Sequence, residues 1–268
     1  MGSTKEYSIV VQIMQAIELD FTSRNSVARI DAAFRIRGTE EWGVREAFLK
    51  SVRDAFSRQP DLAVRLHGVR KVQLGKRGQS RSSLFPSKKN APPEHYAAYV
   101  PVESRLEQAY ALCLERHPSV VAYRTQAICI DIPGGRSHVP DFLIRDDVGR
   151  VFVREVKHNR DHLSDAYRQK VDWVAGFLAR VGVDYALVDR CDLPPDVVLR
   201  HLTAVHHSYR RIPTRMEIDH ALKLIPSLLP CSYYALVEAL GDVAKHLVFV
   251  GVLDVRWDLF NMEAQVCK

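Results

Sequence analysis

The chain is poor in the residue patterns that mark several large protein classes. Its five cysteines, Cys113, Cys129, Cys191, Cys231 and Cys267, form no CxxC or CxxH spacing. That excludes a zinc-finger framework, and buried free thiols in a reducing compartment are expected in place of disulfides. No apolar run is long enough to span a bilayer, and no signal peptide is recognisable. A non-membrane, cytosolic protein is the expectation. His201, His206 and His207 lack a zinc-protease spacing such as HExxH, so surface or capping roles are expected for them. Between Arg65 and Lys89 there is no Asp or Glu at all.

What is present is enough for a substantial core. Hydrophobic residues make up 47% of the 268 residues, which argues against gross disorder. A formal charge of +6 favours a polyanionic partner only mildly, since 38 basic residues face 32 acidic ones. The basic residues are concentrated. Arg65, Arg70, Lys71, Lys76, Arg77, Arg81, Lys88 and Lys89 lie in one acid-free stretch interleaved with glycine and serine. Lys76, Arg77, Arg81, Lys88 and Lys89 are candidate DNA-backbone contacts, binding with counterion release. A solvated basic linker is the alternative.

The chemistry concentrates in Pro140-Asp141 and Glu155-Val156-Lys157. Val139–Arg145 and Arg150–Lys157 read as two strands, rich in β-branched and aromatic residues. A three-residue loop of Asp147, Val148 and Gly149, with Gly149 left-handed, would close them as a hairpin. Asp146 then opposes Arg150, and Asp141 opposes Glu155. Side chains alternate along a strand, so Glu155 and Lys157 share a face with Val151 and Val153. A slip of one residue would send Asp141 to the other face. Two acids and a lysine so placed suit metal-dependent phosphodiester cleavage. An ordinary solvent-facing hairpin with a cross-strand charge pair is the plain alternative.

The flanks give an α/β order. Val102–Arg116 reads as a helix ended by His117-Pro118. Val120–Tyr123 and Ala127–Ile132 read as strands, Asp161–Val181 as a helix stopped at Gly182, and Asp184–Asp189 as a buried strand. Before them, Trp42–Ser57 reads as an amphipathic helix and Asn25–Arg37 as a short one. After them come helices over Asp196–Ser208 and from Thr214, whose cap pairs with Glu217. Ser232–Leu240, Gly241-Asp242 and Val243–Val250 form a helix–turn–helix pattern, and Gly251–Asp258 reads as a strand or wing. The second helix of that pattern carries only Lys245 and His246 as cationic candidates, few for a DNA-reading helix. Arg154 and His158, flanking the acidic motif, are either phosphate contacts or surface residues.

This pattern resembles the PD-(D/E)XK nuclease superfamily. The resemblance implies that Asp141 and Glu155 bind metal, that Lys157 is catalytic, and that Glu107 on the preceding helix completes the site. Ser104-Arg-Leu-Glu107, Pro118-Ser-Val-Val121 and Gln126 narrow it. Glu103 to Lys157 is similar to the catalytic domain of TnsA-type heteromeric transposase endonuclease subunits, although Ala127 stands where a proline usually follows Gln126. The expected fold is a restriction-endonuclease-like α/β core, its mixed sheet flanked by helices, with a mostly helical winged-helix-like module. The expected divisions are 1–90, an N-terminal helical region and basic arm; 91–191, the endonuclease domain; and 192–268, a partner- or DNA-binding domain.

The resemblance implies a Mg²⁺-dependent endonuclease, with Mn²⁺ able to substitute, cutting DNA at the 5′ transposon ends in cut-and-paste transposition. Glu107, Asp141, Glu155 and the Val156 carbonyl would hold the metal, with Gln126 as a supporting residue or a structural turn. Implied partners are transposon-end DNA, an RNase H-like transposase subunit and an ATPase regulator, in a prokaryotic, nucleoid-associated setting. A stand-alone restriction or repair nuclease, a non-catalytic DNA-binding scaffold, and an unrelated enzyme matching by chance are the alternatives.

Overall fold

A computed structural model describes residues 38–57, 69, 83–92, 95–133 and 136–267. The short helix expected over Asn25–Arg37, and Lys76, Arg77 and Arg81 of the basic stretch, lie outside these residues. The described chain contains seven α-helices. None is long and apolar enough to cross a membrane.

The chain divides into two compact units. One comprises α1 (Gly38–Ser57) and the stretch Tyr123–Leu193. The other comprises β1 (Ser83–Ser87), β2 (Ala98–Val102), α2 (Arg105–Arg116) and Pro194–Lys268. The division falls after Ala122, within β3 (Val120–Thr125). These units cut across the linear divisions expected at residues 90 and 191. In particular, the helix carrying Glu107 groups with the C-terminal segment.

The first unit is built on a mixed sheet of order β3-β6-β7-β8. Here β6 is Phe142–Asp146, β7 is Val151–Val156 and β8 is Asp184–Val188. Strands β6 and β7 are antiparallel, and β7 and β8 parallel. The parallel pair needs a crossover, which α3 (Asp165–Arg180) supplies. Ser164 caps α3 by accepting from Tyr167 N–H, and Gly182 at φ 79° follows its end. A small hairpin, β4 (Ile130–Ile132) with β5 (Arg136–His138), precedes β6. The strand expected over Ala127–Ile132 is thus only its last three residues, because the chain turns at Gln126, whose φ is +50°.

Phe48 and Val52 of α1, Leu143 and Val153 of the sheet, and Val174 and Leu178 of α3 share one buried core. Phe48 meets Phe177 edge-on at 5.8 Å between ring centroids. The other sheet face is also buried, through Phe142, Ile144 and Phe152. The hairpin is therefore not the solvent-facing element of the plain alternative.

In the second unit, β1 and β2 pair antiparallel. Helices α4 (Asp196–Ser208) and α5 (Arg215–Leu228) follow, the latter with a Thr214–Glu217 capping box. Then come β9 (Cys231–Ser232), α6 (Tyr233–Leu240), α7 (Asp242–Phe249), β10 (Asp254–Val255) and β11 (Gln265–Cys267). Gly241, at φ 57°, makes the turn between α6 and α7. The three short strands form an antiparallel sheet of order β10-β11-β9. The strand expected over Gly251–Asp258 is confined to β10, and a 3₁₀ turn, Trp257–Leu259, follows it.

Two expectations about the burial of side chains fail. His206, expected at the surface, is fully buried. Of the cysteines, Cys113 and Cys231 are half-buried and the other three exposed, and all five are unpaired.

Candidate active site

The β6–β7 hairpin adopts the register that its loop dictates. Phe142 lies opposite Arg154 and Arg145 opposite Val151, so Asp141 stands across from Glu155. Gly149 takes φ 84° and donates its N–H to the Asp146 carbonyl at 3.1 Å. The buried Asp146 carboxylate braces the other side. It accepts Arg150 N–H and Arg150 Nε–H, each at 2.7 Å.

Register places the chemistry at one end of the core face. Asp141 and Glu155 are 7% and 3% exposed. Two carboxylates so buried must be paired, or their charge would be lost to protonation. Val156 N–H donates to Asp141 Oδ2 at 2.8 Å. Lys157 Nζ lies 2.7 Å from Glu155 Oε1 and 3.6 Å from Asp141 Oδ2, bridging the acids. The same ammonium donates to the Val156 carbonyl at 3.1 Å. Lys157 itself is held by its N–H to the Val188 carbonyl of β8 at 2.9 Å, and its side chain is 28% exposed. It is thus the most exposed of the three motif side chains.

Three residues join this site that the motif did not reveal. The Tyr167 hydroxyl donates to Glu155 Oε1, the oxygen that Lys157 also contacts. His138 Nε2 lies 3.3 Å from Glu155 Oε2. Lys170 Nζ lies 3.3 Å from His138 Nδ1 and 4.0 Å from the Tyr167 ring centroid. Burial pushes the Glu155 carboxyl up, but contact with His138 and the charge of Lys157 outweigh it and hold it down to about 2. Burial, then the Glu155 charge, raise the Tyr167 phenol. Glu155 is an anion and Tyr167 a neutral donor at neutral pH. Tyr167 and Lys170 sit three residues apart at the start of α3, a same-face spacing that the sequence displays. Tyr167 reads there as one member of an apolar stripe, which conceals its hydroxyl.

The remaining sequence candidates divide. Gln126 is buried, and its backbone ties the site together. Its N–H donates to the Asp141 carbonyl at 3.0 Å, and its carbonyl accepts Val69 N–H at 2.9 Å. Its side-chain amide has no hydrogen-bond partner. Gln126 therefore positions the Asp141 backbone. Arg154 is buried, with Nη2 on Asp184 Oδ2 at 2.6 Å, so it is neither a surface residue nor a phosphate contact. His158 is exposed.

Glu107 lies in the second unit, where its carboxylate serves its own helix. Oε2 accepts Glu103 N–H at 2.8 Å, and Oε1 accepts the Ser104 hydroxyl at 2.9 Å. Ser104 Oγ in turn accepts Glu107 N–H at 3.1 Å. Ser104 is thus the N-cap, and the Glu107 carboxylate reaches back to the residue before it, a variant of the pairing that Ser-x-x-Glu signals at a helix start. Lys88 and Lys89, expected to face phosphate, turn inward. Their ammonium groups donate to the His206 and His117 carbonyls, at the ends of α4 and α2.

The donor set around Glu155 and Asp141 suits a hard divalent cation. Among the described residues no group of three or more His, Cys, Asp or Glu forms a metal cage. Magnesium does not need one, since it takes one or two carboxylates and keeps several waters. Glu155 Oε2 has no aligned hydrogen bond, and a lysine ammonium stands between the two acids where positive charge is favoured. No protein-family model matches the chain, and no curated protein matches it.

Proposed function

We propose that this chain is a Mg²⁺-dependent DNA endonuclease of the PD-(D/E)XK type. The observation that carries this reading is the convergence of Asp141, Glu155 and Lys157 on one face of the β6–β7 hairpin. A binding module has no need to crowd two buried carboxylates beside a phosphate, so the geometry favours hydrolysis over a scaffold role. Asp141, Glu155 and the Val156 carbonyl would hold the cation. When bound, Mg²⁺ supplies Lewis-acid polarisation of the phosphate and a more acidic water. Lys157, released from its bridge between the acids, orients the attacking water and offsets the charge that develops on the phosphate. Tyr167 keeps the Glu155 carboxylate in place by donating to it. The reading does not require Glu107, whose carboxylate accepts the Glu103 N–H and the Ser104 hydroxyl at the start of α2.

Within that class, the Ser104-to-Gln126 pattern supports a TnsA-type subunit cutting 5′ transposon ends, with a transposase and an ATPase regulator as partners. The C-terminal segment, read as a winged-helix-like module, then engages protein in preference to DNA. Lys245 of α7 is occupied by Asp242 Oδ1 at 2.8 Å and the Ser208 carbonyl at 3.1 Å, and His246 is buried. That leaves α7 poorly equipped to read a groove. A restriction or repair nuclease would use the same trio on other DNA, and would cut without partners. The test is Mg²⁺-dependent nicking of transposon-end DNA, with and without partner subunits, for wild type and Asp141→Ala. Loss of nicking in the variant is expected, and equal nicking by both proteins overturns the assignment.

A further inference from the structure

The Glu155 carboxylate is approached on both oxygens, but only one side is accounted for by the motif. Oε1 receives the Tyr167 hydroxyl and Lys157. On the other side, Oε2 faces His138 Nε2 at 3.3 Å, long for a charge-assisted bond, and neither atom has a better partner. His138 is itself 5% exposed and lies on β5, a strand outside the four-stranded sheet. Its far nitrogen, Nδ1, meets Lys170 Nζ of α3 at 3.3 Å.

The chemistry of those contacts specifies a proton. An ammonium group has donors only, so Nδ1 must accept from Lys170. The single proton of a neutral imidazole then sits on Nε2, the nitrogen 3.3 Å from Glu155 Oε2. With the proton on Nδ1, N–H would oppose N–H on one side and a lone pair would oppose a carboxylate on the other. We propose that Lys170, His138 and Tyr167 are positioning residues for Glu155, with Lys170 fixing His138 as the Nε2–H tautomer so that the carboxylate is gripped from both sides. Donors in this outer position commonly orient a metal-binding carboxylate and tune its affinity. Lys170 and His138 act only through Glu155, and their bearing on cation binding rests on the reading above.

The full-length chain, labelled with ¹⁵N-histidine, tests the proton directly. Nitrogen chemical shifts distinguish the two neutral tautomers and the imidazolium, and His138→Gln identifies the resonance. We expect Nε2–H in the wild type and a shift toward Nδ1–H in Lys170→Met. Mn²⁺ binding without DNA, followed by calorimetry, supplies the second readout. His138→Gln keeps a donor near the Nε2 position and should bind Mn²⁺ as the wild type does, whereas His138→Asn should weaken binding about tenfold. A wild-type Nδ1–H or doubly protonated ring overturns the relay, as does equal Mn²⁺ affinity in the Asn and Gln variants. The two readings can fail separately. Nε2–H that responds to Lys170→Met, with no Mn²⁺ bound by any variant, sustains the relay and overturns the cation site. Nδ1–H with Mn²⁺ bound does the reverse.

Discussion

Each unit sets a buried glutamate, Glu155 in the first and Glu115 in the second, among lysine, histidine and a hydroxyl, yet the two clusters are built for different ends. In the second unit, Glu115 accepts the Ser87 hydroxyl at 2.6 Å and the N–H groups of Lys88 and Lys89 at 3.1 and 3.3 Å. His206 Nε2 lies 3.6 Å from Oε2, the oxygen that also accepts the two lysine N–H groups. Lys88 and Lys89 send their ammonium groups to helix-terminal carbonyls, so the turn wraps a carboxylate with backbone. In the first unit, Glu155 is met by side chains, and Lys157 reaches across to a second carboxylate. Backbone donors cannot leave when a ligand arrives, but an ammonium on a flexible stem can. Residue types alone therefore do not make a site. Which atoms satisfy the carboxylate, and whether they can yield, separates a structural network from a candidate active site.

The sharpest way to break this comparison is to change one acid in each cluster. Asp141→Ala should lower nicking about a thousandfold, the scale of losing one preorganised electrostatic group in a closed site. The same assay on Glu115→Gln should show intact activity per folded molecule. Stability should respond in the opposite sense. Glu115→Gln breaks a fully enclosed network and should cost about 3–5 kcal/mol, a fall in Tm on the order of 10 °C by calorimetry.

A smaller effect tests the hairpin that holds the site. Gly149→Ala places a Cβ at φ 84° and should cost about 1 kcal/mol in urea unfolding. A neutral result would mean that the loop does not close on a left-handed residue.

A pH dependence also distinguishes the two clusters. Burial, partly offset by Glu115, lowers Lys88 and Lys89 from 10.5 to about 8. Between those values the unfolded chain holds protons that the folded chain has released, so stability should rise with pH from about 8 to about 10.5. Substituting both lysines with Met should flatten that slope in urea titrations. Glu155 behaves otherwise. Its carboxyl sits at about 2, below the ordinary 4.5, so its contribution is complete above 4.5 and is lost as pH falls toward 2.

The hairpin was legible because local rules over-determine it. Gly149 permits one loop, that loop permits one register, and the register alone puts Asp141 across from Glu155. Helix ends were legible for the same reason, through Thr214 with Glu217 and through Gly182 and Gly241. What escaped depends on tertiary placement. His138, Tyr167 and Lys170 come from β5 and α3, and only the packed unit brings them to Glu155. Lys88 and Lys89 resemble surface cations in sequence, yet the buried Glu115 draws their turn inward. Glu107 fitted two patterns at once, an active-site acid and a helix-start residue, and its hydrogen bonds to Glu103 and Ser104 are those of a helix start.

Calorimetric titration of Mn²⁺ into the wild type, Asp141→Asn and Glu115→Gln, without DNA or partner subunits, tests the central claim most directly. One saturable site in the wild type and in Glu115→Gln, lost in Asp141→Asn, is the predicted result. No binding in the folded wild type, or equal binding in Asp141→Asn, would contradict the assignment of the Asp141–Glu155–Lys157 cluster as a metal-dependent active site.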